Sequence, residues 1–205
     1  MKVRRESFPY LLLSGFALCL AIIFQLWILT IIFGVIFVFI IFFFRDPERN
    51  FSGDESILLS PADGKIVVFK EDEDQYFISI FMSIFNCHVN RSPIEGEVIS
   101  RTHFTGNYIS AFKEKASIEN ERVIWRVKGK SEVEFVQIAG LVARRIHLLK
   151  QKGDFVKRGE RVGVIAFGSR VDLKFKKSEY DVLLKMNDVV KAGLTPIAKR
   201  KERKD

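Results

Sequence analysis

Cysteine is nearly absent from this sequence. The two thiols, Cys19 in an apolar run and Cys87 beside a histidine, give no disulfide framework and no zinc-ligand spacing, and they fit a reducing compartment. Histidine is almost as sparse, with His88, His103 and His147 the three present, and no metal site is expected. Zinc-finger spacing, a helix-turn-helix pattern and an aromatic-basic platform are all missing, which argues against nucleic acid as a partner despite a formal net charge of +8. No repeat of solenoid length occurs. The longest absence is of charge: from Leu11 to Phe44 no residue is charged, and only Ser14, Gly15, Gln25, Thr30 and Gly34 interrupt strongly apolar side chains.

Such a run is membrane material. It is too long for a signal peptide, no small-residue cleavage site follows, and it ends in Arg45-Asp46-Pro47-Glu48-Arg49. As one helix it would reach about 51 Å, against roughly 30 Å of hydrocarbon. A hairpin of two short helices turning near Gln25 to Trp27 fits better, with one strongly tilted helix as the alternative. Cationic flanks, Lys2, Arg4 and Arg5 on one side and Arg45 and Arg49 on the other, put both ends in the cytoplasm and the remainder of the chain at the inner face of the cell membrane. The basic tail, Lys199 to Lys204, suits anionic headgroups.

The rest is globular, at 48% hydrophobic and 28% charged residues over the whole 205. We read an anchor over 1–46, a linker over 47–56, a globular domain over 57–198 and a basic tail over 199–205. Short runs rich in Ile, Val and Phe, punctuated by Gly, Asp, Asn and Pro, predict strands over Lys65–Lys70, Tyr76–Met82, Gly96–Phe104, Arg122–Val127, Glu132–Ile138, Glu160–Ala166, Val171–Phe175 and Asp181–Met186. Only Gly140–Lys150 has a helical look. The fold class is mainly β (α+β), a β-sandwich-like domain with minor helix.

Within that domain three places carry chemistry. Val164 to Leu173 is a strand-like run broken by Gly168-Ser169, where a hydroxyl can attack the preceding carbonyl. His88 follows an apolar strand and sits among Asn and Arg; Cys87 beside it points to the other face of an extended chain, so the two do not share a proton. Asp63, in the turn Ser60-Pro61-Ala62-Asp63-Gly64, could orient a histidine base if buried and fixed.

Taken together and in order, Ser60 to Gly64, Phe81-Met82-Ser83, Asn86 to Pro93, Lys115-Ala116-Ser117, Glu119 to Arg122, Gln137 to Gly140, Ala143 to Ile146 and Phe167 to Asp172 resemble the short-form phosphatidylserine decarboxylase proenzymes, or the closely similar archaetidylserine decarboxylases. Phe44 to Arg49 resembles the same family. The resemblance implies a lyase whose Gly168–Ser169 bond cleaves itself, so that Ser169 becomes an N-terminal pyruvoyl group, the sole cofactor, with neither metal nor pyridoxal phosphate. It implies His88 as base and Asp63 as its orienting partner. The substrate is a serine-headed phospholipid, decarboxylated through a Schiff base, with Arg91, Arg144 and Arg145 as candidates for its phosphate or carboxylate. The two pieces, 1–168 and 169–205, would stay together as a heterodimer. Longer relatives carry a second histidine where Arg91 stands, and Lys174-Phe175-Lys176-Lys177 departs from the family's ending. A rival resemblance, between the hairpins at Asp63–Ile66 and Lys152–Ile165 and those of biotinyl or lipoyl carriers and membrane-fusion adaptors, implies a non-catalytic anchored module with Lys185 as carrier lysine.

Overall fold

Apolar periodicity changes character at residue 44, and so does the structure, a computed structural model that describes residues 2–106, 120–140, 145–166 and 169–202. The chain forms two compact units, Met1–Glu48 and Arg49–Asp205. In the first, a short strand β1 (Lys2–Val3) pairs with β2 (Arg45–Asp46), and between them run α1 (Phe8–Ile23) and α2 (Trp27–Phe43). The reversal at Phe24 to Leu26 uses Gln25 in the left-handed region, φ 58°, with Leu26 N–H donating to the Ala21 carbonyl at 2.8 Å. Large apolar side chains, among them Leu12, Leu13, Ile28 and Ile31, point outward. The helical stretch Arg5–Ile23 is long and apolar enough to cross a bilayer, and α2 is shorter.

The second unit contains β3 (Ile57–Leu59), β4 (Gly64–Glu71), β5 (Gln75–Met82), β6 (Val89–Arg91), β7 (Gly96–Phe104), β8 (Arg122–Lys128), β9 (Glu132–Ala139), β10 (Ile146–Leu148), β11 (Phe155–Val156), β12 (Arg161–Ile165), β13 (Ser169–Lys176), β14 (Tyr180–Val182), β15 (Val189–Val190) and β16 (Pro196–Arg200). One eight-stranded sheet runs β11-β7-β8-β9-β13-β5-β4-β15, and two three-stranded sheets run β10-β12-β6 and β14-β16-β3. The small sheets pack on one face of the large one, giving a mainly β, sandwich-like unit. Strand alternation explains the core: Val171, Leu173 and Phe175 of β13 point inward with Ile78, Ile80, Trp125 and Phe135, and meet Val162, Ile165 and Ile197 from the small sheets.

Two expectations need correction. The segment expected to look helical contains strand β10, paired with β12 through Ile146↔Ile165 and Leu148↔Gly163; the β-branched residue at 146 and the open ladder edge outweigh the helical spacing, and 141–144 lie outside the described residues. The last expected strand is short, because beyond Val182 the chain enters a turn that carries Asn187 at φ 76°.

The large sheet reads the same from either end. Its order places β11 opposite β15, β7 opposite β4, β8 opposite β5 and β9 opposite β13. Both β4 and β7 begin at the glycine of a Ser-Pro-x-acid-Gly turn, Ser60 to Gly64 and Ser92 to Gly96, and each has a bulge, at Ile66/Val68 and Val98/Ser100. Ser60 and Ser92 each cap their own turn, donating to Ala62 O and Ile94 O at 2.7 and 2.6 Å. The two halves are therefore related by an approximate twofold axis between β9 and β13. Following the registers, Phe81 answers to Lys128, Arg170 to Glu132, and Ser169 to Ser131.

Candidate active site

Ser169 opens β13 in the middle of the large sheet, paired with Met82 at the end of β5 and Ala139 at the end of β9. It is fully buried, and its hydroxyl donates to the Met82 sulfur at 3.3 Å. Four residues earlier the chain is in a different sheet: β12 ends at Ile165, whose N–H donates to the His88 carbonyl at 3.2 Å. The Gly168–Ser169 bond thus belongs to the crossing from small sheet to large, and Gly168 itself lies outside the described residues.

His88 precedes β6 and is buried. Its Nδ1 lies 3.0 Å from the Asn86 carbonyl oxygen. A carbonyl can only accept, so Nδ1 carries the hydrogen in the neutral ring and Nε2 holds the basic lone pair. Asn86 is itself fixed: its side-chain oxygen accepts from Ser83 N–H and hydroxyl, each at 2.8 Å. Cys87 and Val89 pack with Val164 in a small apolar cluster. Alternation sends His88 to the other side, the side of Asn90, which contacts Met82.

Asp63 takes a different partner from the one expected. Its carboxylate is bidentate to Arg49, at 2.5 and 2.8 Å, and also accepts from Ala192 N–H at 2.8 Å. Arg49 Nη1 donates as well to the Ala192 carbonyl at 2.8 Å. The Asn86 carbonyl holds Nδ1 of the His88 ring, and Asp63 fastens the start of the linker to the loop ahead of β16.

The arginine candidates separate. Arg91 is buried, with Nη1 donating to the Gly159 carbonyl at 2.9 Å, a tie between hairpins. Arg145 is exposed, and its carbonyl accepts from Ala166 N–H at 3.4 Å, beside the crossing. Arg144 lies outside the described residues. Asn120 and Glu121 hold the strand next to Ser169: Asn120 Nδ2 donates to Ala139 O at 2.7 Å, and Ala139 N–H donates to Glu121 O at 2.9 Å. His103 meets Glu121 at 3.0 Å and is otherwise open to solvent.

Sequence reasoning missed Arg49, Asn86, Asn90 and Gln137. For Gln137 a signal existed, since Val133, Phe135, Gln137 and Ala139 share one face by period two, and a buried amide in that series calls for partners. A cavity of about 640 Å³, lined by Lys130, Ser131, Arg158 and Tyr180 among others, opens at the far end of the sheet. It surrounds Ser131, the twofold counterpart of Ser169, and Lys130 precedes that serine, so the Gly-Ser bond is not duplicated. Among the described residues no His, Cys, Asp and Glu grouping could hold a metal ion.

Comparison with known proteins agrees with this arrangement. The family model for phosphatidylserine decarboxylase matches residues 36–198. The phosphatidylserine decarboxylase proenzyme of Geotalea uraniireducens is 37% identical over 202 residues, covering 94% of each chain. That of Syntrophus aciditrophicus is 39% identical over 206 residues, covering 95% of this chain and 96% of its own. That of Nitrosomonas europaea is 42% identical over 180 residues, covering 83% of each. Among solved structures, glucose permease IIA from Mycoplasma capricolum aligns with 16% identity and a TM-score of 0.41, covering 69% of this chain and 93% of that one, too slight a likeness to carry an argument. The match spans the crossing with Ser169, the His88 loop and the Asp63 turn at once, and the chain belongs to the phosphatidylserine decarboxylase family.

Proposed function

We propose that this decarboxylase is a membrane-bound, self-cleaving enzyme that converts phosphatidylserine, or its archaeal ether-lipid analogue, to the ethanolamine lipid with a pyruvoyl group made from Ser169. The observation that carries the reading is a fully buried serine at a strand head, one sheet crossing away from a histidine whose tautomer leaves Nε2 basic. His88 Nε2 takes the hydroxyl proton, and Ser169 Oγ attacks the Gly168 carbonyl, giving an ester in place of the peptide bond. Loss of the Ser169 α-proton then releases the chain ending at Gly168 as a carboxylate. Hydrolysis of the remaining unsaturated residue, with loss of ammonia, leaves a terminal carbonyl. Met82 and Ala139, the strand partners of residue 169, are uncharged, which suits an uncharged group there. Once formed, that group supplies an electron sink for the pair left behind when carbon dioxide departs.

The chain's own residues do the rest. His88 returns a proton to the carbon that lost carbon dioxide, as a positioned acid near neutral pH can. Arg145, with Arg144 beside it in sequence, holds the phosphate or carboxylate of the headgroup. Arg91 is given a structural duty instead, and Asp63 the fastening of the linker. The helices α1 and α2 hold the enzyme on the membrane that contains its substrate, with both ends at the cytoplasmic face. Lys185 is a turn residue, and family membership takes the place of the carrier alternative.

Intact-mass analysis of the purified full-length chain tests this reading. Two pieces are expected, 1–168 and 169–205, the second blocked to N-terminal sequencing. Ser169→Ala should remove both splitting and carbon dioxide release from serine lipid. A parental chain that stays whole, or an alanine variant that still splits at this bond, sinks the proposal.

A further inference from the structure

A buried line of polar side chains leads to Ser169 and plays no part in the chemistry so far. It starts at Trp125 of β8, whose indole N–H can only donate. That group donates to Gln137 Oε1 at 2.8 Å, which fixes the Gln137 amide. Its nitrogen must face the other way, and it donates to Asn90 Oδ1 at 2.8 Å. Asn90 is fixed in turn, with its N–H groups directed at the Pro61 carbonyl, 3.5 Å away, and at the Met82 sulfur, 3.6 Å away. Both acceptors lie at the long limit of a hydrogen bond, and a thioether accepts weakly. All three side chains are fully buried. Opposite Gln137 stands Gly163, where a Cβ would fall 2.8 Å from Gln137 Nε2, so the facing strand leaves the amide its room. The same Met82 sulfur receives the Ser169 hydroxyl.

A donor-only group at the head of the series therefore decides the direction of every amide after it. The last one presents a buried, orientation-locked, weakly used N–H donor to the same Met82 sulfur that receives the Ser169 hydroxyl. We propose that Trp125 and Gln137 are positioning residues whose purpose is to aim the Asn90 amide, and that Asn90 Nδ2 supports the negative oxygen formed when Ser169 attacks the neighbouring carbonyl. This rests on the self-cleavage reading above. In that step the Oγ–C bond forms, the hydroxyl proton goes to His88, and the carbonyl π pair moves onto oxygen. Breaking the C–N bond then returns the pair to the carbonyl and the proton to the amine. A fixed donor in a dry site lowers the charged stage without reorganising, and loss of one such donor costs about 10² to 10³ in rate.

An amide series that only filled the core would work as well with apolar side chains of similar shape. The triple variant Trp125→Phe, Asn90→Leu, Gln137→Leu makes that replacement in the full-length protein. Self-cleavage, followed by the appearance of the 169–205 piece, is expected to slow about 10²-fold. Hydroxylamine, which splits an accumulated ester, should give no rescue, because the block precedes the ester. A triple variant that melts cooperatively and splits at the parental rate overturns the inference.

Gln137→Glu supplies a second arm that keeps the core shape. Burial favours the neutral acid, whose O–H still donates to Asn90 and leaves its amide correctly aimed. Ionisation at higher pH removes that hydrogen, and Asn90 turns its oxygen toward Ser169. Splitting of Q137E should fall as pH rises, whereas the parental reaction, needing a neutral histidine, rises. If the triple variant does not fold, a Q137E profile that parallels the parental one overturns the inference. A parental chain that never splits sinks the proposed function as well, which separates the two failures.

Discussion

At the scale of single residues, Asp63 shows how far a side chain's identity can outrun its role. It was expected to orient His88, yet the charge that its carboxylate pairs with is Arg49, 14 residues earlier. Breaking a buried pair by removing one partner leaves an unpaired charge, so Asp63→Ala or Arg49→Ala should each lower unfolding free energy by about 3–5 kcal/mol in denaturant titrations, and the double variant by less than the two together. A spacing pattern cannot disclose such a partner, since the guanidinium arrives from the linker. The places of Ser169 at a strand head and of His88 just ahead of a strand were legible because a Gly-Ser break in an apolar run and a histidine at the end of one are local signals. The Asn86 carbonyl that sets the His88 tautomer is backbone, and no side-chain pattern encodes it. Tyr180 adds a pH signature. Burial raises its pKa, against the lowering effect of the Ser131 hydroxyl. The fold therefore favours the neutral phenol, and that contribution is whole below the unfolded value of about 10 and lost as pH rises through the higher folded one. Tyr180→Phe should flatten the alkaline fall in melting temperature; an unchanged alkaline limb would count against this account.

Elements tell a more predictable story. The expected strand Gly96–Phe104 is the observed β7, and most other long strands differ by a residue or two, because alternation over seven to nine residues fixes face and register together. The two- and three-residue strands β3, β6, β10, β11 and β15 escaped, as did the five-residue β16: such lengths carry little or no period, and their partners define them. The palindromic sheet was hidden for a related reason. Its halves share turns and bulges, as at Ser60–Gly64 and Ser92–Gly96, while the strands between have diverged in composition. Gly163 is the element-level test of the amide series. In Gly163→Ala the new methyl meets Gln137 Nε2 and Oε1 at 2.8 and 3.0 Å and the His147 carbonyl at 2.9 Å. We expect a loss of about 1–3 kcal/mol by overpacking, together with slower splitting; full stability with unchanged splitting would show that the amide has slack.

For the whole molecule, composition alone separated an apolar head from a mixed-charge body, and the structure divides at Glu48/Arg49. Chain 49–205 should stay in solution after ultracentrifugation and still split, while the full chain follows the membrane pellet; pelleting of both would place the membrane attachment in the body. What composition could not convey is where the proposed cut would fall in the assembled sheet. β13 is flanked by β9 on one side and β5 on the other, so a 169–205 piece would be held by ladders on both edges of its first strand. Its first residue is fully enclosed. An ordinary proteolytic cut there would create an α-ammonium of pKa about 8 in a fully buried place whose strand partners, Met82 and Ala139, carry no charge, at a cost of several kcal/mol. In the proposed reaction that residue becomes a ketone and loses its nitrogen altogether, so the step that would make the enzyme competent would also remove a charge that burial disfavours.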